Sequence, residues 1–400
     1  MSVAAKRWAQ VRRSLGGVEE RSDRQVYLDH AASTPPRPEV VEAMLPWLAE
    51  HPGNPSGSHR LARDARRAID DARDAVAALV GLDAGGVVFT SGGTEADNLA
   101  VDGVLGADSG VAVCCSTEHV AVLEPVRDSD GVVLSVDAGG RIDLGALAET
   151  LDSVADIKLV SVMAVNNETG VISPVAEVAS MVAERAPGAV VHCDAVQAAA
   201  WLDLPSTCQG AHLVSITGHK FGGPKGAGVL ALDGNIPLSP MLRGGGQERE
   251  RRSGTQNVPA IVGLGRAAEL VMEDRKDTAD RVAAMRDRLE AGLLASVPGT
   301  RCTVPEGVER IPAVTHLCFE GVESEALLYL LEQEGICASA ASSCSSGAQE
   351  SSHVLAAMGV DREMAAGSLR LSLAWPTTEE DVDHALSVIP GIARCLSAGT

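Results

Sequence analysis

From Val26 onward, short Val-rich apolar runs alternate with longer stretches whose apolar positions recur at helical spacing. GVVFT (86–90), GVAVCC (110–115), IKLVSVM (157–163), AVVHCD (189–194) and LVSIT (213–217) read as strands, with helices over 58–80, 94–106 and 174–186 between them. The runs are apolar throughout rather than alternating, as in strands covered on both faces. The pattern therefore predicts an α/β fold, a mostly parallel central sheet covered by helices. Ligands of such sheets sit beyond the carboxyl ends of the strands. After residue 260 the pattern changes. Val282, Met285, Leu289 and Leu293 share one helical face, followed by a strand at 313–319, a helix at 323–334, a strand at 368–373 and a helix at 378–396. Between them, CASAASSCSSGAQESS (337–352) has no periodicity and is expected to be a mobile loop. The expected organisation is a polar extension over 1–25, a large domain over 26–260 and a smaller α+β domain over 261–400 that carries this loop, with a cleft between the domains.

Composition narrows the function. Apolar residues make up 45% and charged residues 22%, which excludes disordered and fibrous classes. With 33 Lys and Arg against 54 Asp and Glu, the net charge is −21, which argues against a protein that grips nucleic acid through its overall charge. No run approaches the length of a membrane span, and the amino end is basic without the apolar core of a secretory signal, so a cytoplasmic protein is expected. The nine cysteines are scattered and never spaced C-x-x-C, so neither a disulfide framework nor a metal site is expected. Cys114, Cys115, Cys193 and Cys318 fall on expected strands and read as small core residues, and Cys208 reads as a loop thiol.

The chain holds only five lysines, and Lys220 follows an apolar strand directly in LVSITGHKFGGPKG. There it reads either as a surface-turn lysine or as one able to form a Schiff base with a carbonyl cofactor. TSGGTEADN passes from strand to helix through Gly93 and Thr94, where free backbone N–H groups suit a phosphate. Asp194 ends a strand with Gln197 just beyond; it reads as a helix cap or as the partner of a protonated pyridine nitrogen. His119, in STEH, reads as a structural histidine or as one lying against a planar ring. Asn166 and Asn167 occupy the same strand-end position after SVMAV. Phosphate, ring and Schiff-base groups thus line up at strand ends of one sheet.

These residues stand in motifs that resemble the cysteine desulfurases, pyridoxal-phosphate enzymes of the aspartate-aminotransferase-like fold type I. The likeness runs from YLDHAASTP (27–35) through GNPSGSH (53–59), TSGGTEADN (90–98), TEH (117–119), VNNETG (165–170), DAVQ (194–197), SITGHKFGGPKG (215–226), GGGQERERRSGTQNV (244–258), SSCSSG (342–347) and SLRLSL (368–373) to TTEEDVDHAL (377–386). The resemblance implies Lys220 as the Schiff-base lysine, Asp194 on the pyridine nitrogen, Gln197 on the ring hydroxyl, and His119 stacked on the ring and assisting proton transfer. It implies Gly93, Thr94, Thr217 and His219 as phosphate binders. Thr255 matches a threonine that reaches the phosphate across a dimer interface, which implies a homodimer. Asn167 and Arg370 match the holders of the substrate carboxylate, and Cys344 matches the cysteine that receives sulfur in the long-loop class.

The activity implied is removal of sulfur from L-cysteine to give L-alanine and a persulfide on Cys344, passed on to a sulfur-acceptor or iron–sulfur scaffold protein. Iron–sulfur cluster assembly, tRNA thiolation and sulfur modification of DNA are all served by such enzymes; no direct nucleic-acid contact and no membrane are expected. His30, His212, Ser351, Ala374 and Trp375 depart from the usual pattern without touching an implied catalytic role. A selenocysteine lyase or an aminotransferase remains an alternative within the class. A non-catalytic scaffold binding iron–sulfur clusters is the alternative outside it, disfavoured by the cysteine spacing.

Overall fold

The computed structural model describes residues 25–340 and 352–398. Cys344, the rest of 341–351 and the extension 1–24 lie outside the described residues. In chain order the strands are β1 Val26–Tyr27, β2 Val87–Thr90, β3 Val111–Cys115, β4 Val132–Leu134, β5 Ile157–Met163, β6 Val190–Asp194, β7 Leu213–Thr217, β8 Gly228–Leu232, β9 Thr300–Cys302, β10 Val314–Phe319, β11 Ile336–Cys337 and β12 Ser368–Ser372. The helices are α1 Pro38–Ala49, α2 Arg60–Val80, α3 Gly93–Ala107, α4 Val120–Asp128, α5 Leu144–Ser153, α6 Val175–Arg185, α7 Leu204–Thr207, α8 Val258–Ser296, α9 Ser324–Gln333, α10 His353–Ala357, α11 Arg362–Ala365 and α12 Glu379–Ser397.

Seven strands form the main sheet in the order β2-β8-β7-β6-β5-β3-β4. β3 to β7 run parallel, whereas β8 is antiparallel to both β2 and β7, so β2 again points the same way as the rest. The sheet is thus mostly parallel, as the apolar runs predict, with β4 and β8 as the two strands that the pattern does not reveal. Val160, Val162, Val191 and Leu213 are fully buried, since helices cover both faces. The carboxyl ends of β2, β3, β5, β6 and β7 therefore open onto one rim.

A 39-residue helix, α8, forms the spine. Asn257 caps its start by accepting from the Ala260 N–H at 3.3 Å. At about 1.5 Å per residue it spans nearly 60 Å. Its first half buries Ile261, Leu264 and Ala268 against α1 and α2, and its second half buries Val282, Met285, Leu289 and Leu293 toward α12 and the strands β9 and β10. Small residues allow the close crossings: a Cβ on Gly265 would lie 2.7 Å from the Ala72 Cβ. The expected domain boundary at 260 thus falls three residues inside this helix.

A three-stranded antiparallel sheet, β12-β10-β9, forms the carboxyl-terminal region. β1 pairs in parallel with β11, and Asp29 bridges Ser372, so the first described residues lie beside this region. Cys114, Cys115, Cys193 and Cys318 are buried on strands as expected. Cys208 is not a loop thiol in contact with water: it follows α7 directly, is 6% exposed and packs its sulfur 3.6 Å from that of Cys193.

Candidate active site

At the rim made by the strand ends lies a cavity of about 330 Å3. It draws in Gly93, Thr94, His119, Asn167, Asp194, Gln197, Thr217, His219, Lys220 and Arg370, ten of the twelve residues marked in the sequence. Thr255 is exposed in the loop before α8 and does not line it, and Cys344 lies outside the described residues.

Each position follows from local structure. Gly93 and Thr94 open α3, whose first N–H groups have no partner within the helix. A side chain at Gly93 would meet the Val196 Cγ2 at 2.9 Å, so glycine lets the helix start approach the end of β6. Thr217 ends β7 and donates to the Ala227 carbonyl at 3.1 Å. His219 and Lys220 sit in the single turn Gly218–Lys220 that follows. The Lys220 Nζ donates to the carbonyls of Ala31, at 2.5 Å, and Ala32, at 3.0 Å. This lysine therefore faces the cavity, held by the backbone of Ala31 and Ala32.

The ring-binding candidates share a floor. Asp194 is buried and accepts from the Val196 N–H at 2.9 Å, a turn rather than the cap of a long helix. Burial lifts its carboxyl to about 6, while that N–H and the Lys220 charge pull it down. Gln197 donates to the Ala31 carbonyl at 2.8 Å. His119 caps α4 by accepting from the Ala121 N–H on Nδ1 at 3.1 Å, so its proton resides on Nε2. Burial, with the Lys220 and His353 charges, drops it to about 4, so the imidazole is neutral. His219 is likewise dropped to about 4 by burial and by Lys220 and Lys225, and its Nδ1 is buried with no hydrogen-bond partner among the described residues.

Opposite them, the Arg370 guanidinium is 5% exposed. It donates through Nη1 to the Asn167 carbonyl at 2.9 Å and through Nη2 to the Asp29 carboxylate at 2.8 Å, leaving Nε without a partner among the described residues. Asn166 works differently from its neighbour: its Oδ1 accepts from the Glu168 and Thr169 N–H groups and shapes the turn.

Three carboxyl groups of the site escaped the sequence reading. Asp97 lies four residues after Gly93, one turn along the same face of α3. It is 2% exposed, lines the cavity, and leaves Oδ1 unbonded 3.7 Å from the His192 Nε2. Burial, together with the charges of Asp194 and Glu118, raises it well above its ordinary range, against the Ser215 hydroxyl. Glu118, fully buried, accepts from the Met163 N–H at 2.7 Å and is lifted by burial and Asp194 to about 8. Asp29 pairs with Arg370. The spacing from Gly93 could have revealed Asp97; nothing in the sequence reveals the other two.

The buried acids predict a pH dependence. Glu118 keeps in the folded state a proton that the unfolded chain releases near 4.5, so its contribution to stability is lost as pH rises toward 8. Glu168, raised by burial to about 7, acts in the same sense. Below pH 6.5 the neutral His30, His119, His192, His219 and His316, all lowered by burial, oppose the trend, since the unfolded chain takes up their protons. The melting temperature of the cofactor-free protein should therefore fall between pH 6.5 and pH 8, and Glu118→Gln should flatten that fall. A wild-type melting temperature that is flat or rising over this window contradicts the assignment.

The donor set fits a phosphorylated pyridine aldehyde: a helix start and an unbonded histidine nitrogen for the phosphate, a neutral imidazole beside a buried carboxyl for the ring, and a lysine amine for the aldehyde. Two other hollows fit less well. One of about 300 Å3 is ringed by Arg66, Arg73 and Glu248, whose charges are taken up by each other and by backbone carbonyls. One of about 360 Å3 adjoins the cavity at Thr94 and His119 and is lined by Asp102, Glu124 and Asp128.

Comparison with known proteins is in keeping with this geometry. Residues 26–385 match the family model described as aminotransferase class-V. A cysteine desulfurase of Trichormus azollae is 42% identical over 381 residues, covering 93% of this chain and 94% of that protein. The IscS-like cysteine desulfurase of Mycobacterium tuberculosis is 42% identical over 385 residues, covering 93% and 97%. A solved NifS-like protein superposes with a TM-score of 0.85 at 34% identity, covering 92% of this chain and 98% of its own.

Proposed function

We infer the reaction from one premise: the chain belongs to the aminotransferase class-V family and, within it, to the cysteine desulfurases. It is an enzyme that takes sulfur from L-cysteine and leaves L-alanine. The observation that carries the residue-level reading is the seating of Lys220 in one cavity with Asp194, His119, the α3 start and Arg370.

The cofactor proposed is pyridoxal phosphate. When bound, it supplies an electron sink that makes the substrate's α-proton removable and weakens the bond between Cβ and Sγ. Asp194 would face its ring nitrogen, Gln197 its ring hydroxyl, and the neutral His119 its ring face. The α3 start at Gly93 and Thr94, with Thr217 and His219, would hold the phosphate. Arg370 would clamp the substrate carboxylate with its remaining N–H groups, assisted by Asn167. Lys220 would take up the substrate's α-proton on its amine once that amine has left the Ala31 and Ala32 carbonyls.

Cys344 is the proposed sulfur acceptor. Its thiolate attacks the substrate Sγ, the new S–S bond forms as Cβ–Sγ breaks, and Cβ takes a proton. Cysteine and enzyme thiol thus become alanine and enzyme persulfide, with no external oxidant. Thr255, exposed and away from its own chain's cavity, would reach the phosphate of a second copy, so the working form proposed is a homodimer. A protein acceptor in the cytoplasm would receive the sulfur, for iron–sulfur assembly or tRNA thiolation. The carboxyl-terminal region after residue 260 would act as the smaller domain that brings Cys344 to the cleft.

Two outcomes test this. Incubation with L-cysteine should yield alanine one-for-one with sulfane sulfur; accumulation of a keto acid instead would mark a transaminase. Arg370→Lys, which removes the planar fork, should raise the KM for cysteine about tenfold while the cofactor's absorbance stays unchanged. An unchanged KM would remove Arg370 from the carboxylate site.

A further inference from the structure

Glu168 and Ser352 flank the site, and the reaction described above uses neither. Glu168 follows Asn167 directly and is 4% exposed, a costly place for a carboxylate without a partner. Its partner is remote in sequence: the Ser352 hydroxyl donates to Oε2 at 2.5 Å. Ser352 is itself 5% exposed and is the first described residue after 341–351. The next residue, His353, donates through Nε2 to the Glu118 carbonyl at 3.0 Å, one residue before His119. On the other side of the segment, Ser339 and Arg370 exchange two backbone hydrogen bonds, at 3.3 and 2.8 Å. Arg370 in turn donates to the Asn167 carbonyl. Both roots of the segment that carries Cys344 are therefore fastened to one strip, Arg370–Asn167–Glu168.

We propose that Glu168 and Ser352 form a positioning pair for sulfur transfer, fixing the carboxyl-side root of the Cys344 segment against the strip that holds the substrate carboxylate. The proposal rests on the desulfurase reading with Cys344 as acceptor. Cys344 stands eight residues before Ser352 and five after Ser339. What the roots set is the effective concentration of the thiol at the substrate sulfur, which falls when a tether is loosened. Ser352 also accepts from the Leu355 N–H at 3.1 Å and so caps α10, but a cap needs no buried carboxylate behind it. The Glu168 bond is what ties that cap to the site.

The test uses the full-length holoenzyme. Ser352→Ala, Ser352→Thr, Glu168→Gln and the double variant Glu168→Gln/Ser352→Ala are compared with wild type and with Cys344→Ala. Two quantities are read: the single-turnover rate of persulfide formation on Cys344, by alkylation and mass spectrometry, and the cysteine concentration giving half of the cofactor's absorbance change. Ser352→Ala should slow persulfide formation about tenfold with half-saturation moved less than about twofold, and Ser352→Thr should restore most of the rate. The double variant should be no more than about twofold slower than the worse single one, because the pair acts as a unit.

The proposal is overturned if Ser352→Ala forms persulfide within about twofold of wild type, if half-saturation rises by the factor by which the rate falls, or if the double variant loses the product of the two single effects. If Glu168→Gln does not fold, the Ser352 variants decide alone. A wild-type enzyme that forms no persulfide on Cys344 overturns the desulfurase reading instead, so the two failures are separate.

Discussion

Cys344→Ala should take up pyridoxal phosphate and respond to L-cysteine as wild type does, yet form no persulfide and turn over no cysteine. The expectation follows from the thiols that remain. Among the described residues no cysteine lines the cavity. Burial pushes Cys114 and Cys115 far above the ordinary thiol range, with Glu118 adding to both, and Cys193 is raised by its contact with Cys208 and by burial. They remain protonated and poor nucleophiles. Cys318 is lifted by burial to about 12. Cys337 is pinned in β11, where its sulfur accepts from the Gln25 amide at 3.3 Å. None of these can stand in for Cys344. Mass spectrometry after mixing with L-cysteine reads the result, and a persulfide on any other cysteine of the variant, with turnover retained, would remove Cys344 from the mechanism.

Lys220→Ala should lower turnover on the order of 10³-fold and loosen the cofactor. Among the described residues no other lysine can replace it. Lys158 is paired with Asp108 and Asp156, both at 2.8 Å, Lys276 with Asp280 at 2.6 Å, and Lys225 does not line the cavity. Lys220→Arg should fail equally, since a guanidinium does not release a proton near neutral pH. A small added amine such as ethylamine, able to enter the space left by the side chain, should restore part of the rate in the alanine variant. Rates before and after dialysis, with and without the amine, separate loss of cofactor from loss of the base. A Lys220→Ala enzyme of near-normal turnover would contradict the assignment.

Much of this molecule is legible in its sequence, for identifiable reasons. IKLVSVM and LVSIT return as β5 and β7 without a residue of error, because a Val-rich run bounded by turn residues has few other folds. GVLAL, which becomes β8, follows a glycine-rich turn, and five apolar residues alone do not distinguish strand from buried loop. The helix α8 is foreshortened in the reading because its centre, Glu273 to Asp280, is charged and carries no apolar stripe. Its burial comes from elements on either side, which periodicity does not record.

The site divides in the same way. Lys220, Asp194 and Gly93 stand at strand ends, so once the sheet is known their convergence follows. Asp29 and Glu118 enter through long-range contacts: Asp29 reaches Arg370 across 341 positions, and Glu118 meets the backbone of Met163. Glu168 carries the same lesson, since its partner Ser352 lies 184 positions away. Cys208 shows the converse error, a polar-looking loop position that packs into the core.

The central claim is that the Lys220 cavity holds pyridoxal phosphate and directs sulfur from L-cysteine to Cys344. The most direct test is one tube of purified protein loaded with pyridoxal phosphate, its absorbance recorded before and after L-cysteine, with alanine and Cys344 persulfide quantified from the same sample. The account predicts a long-wavelength cofactor band that shifts on adding cysteine, with alanine and persulfide appearing in equal amounts in the first turnover. A protein that binds no pyridoxal phosphate, or one whose band shifts while neither alanine nor persulfide forms, would contradict it.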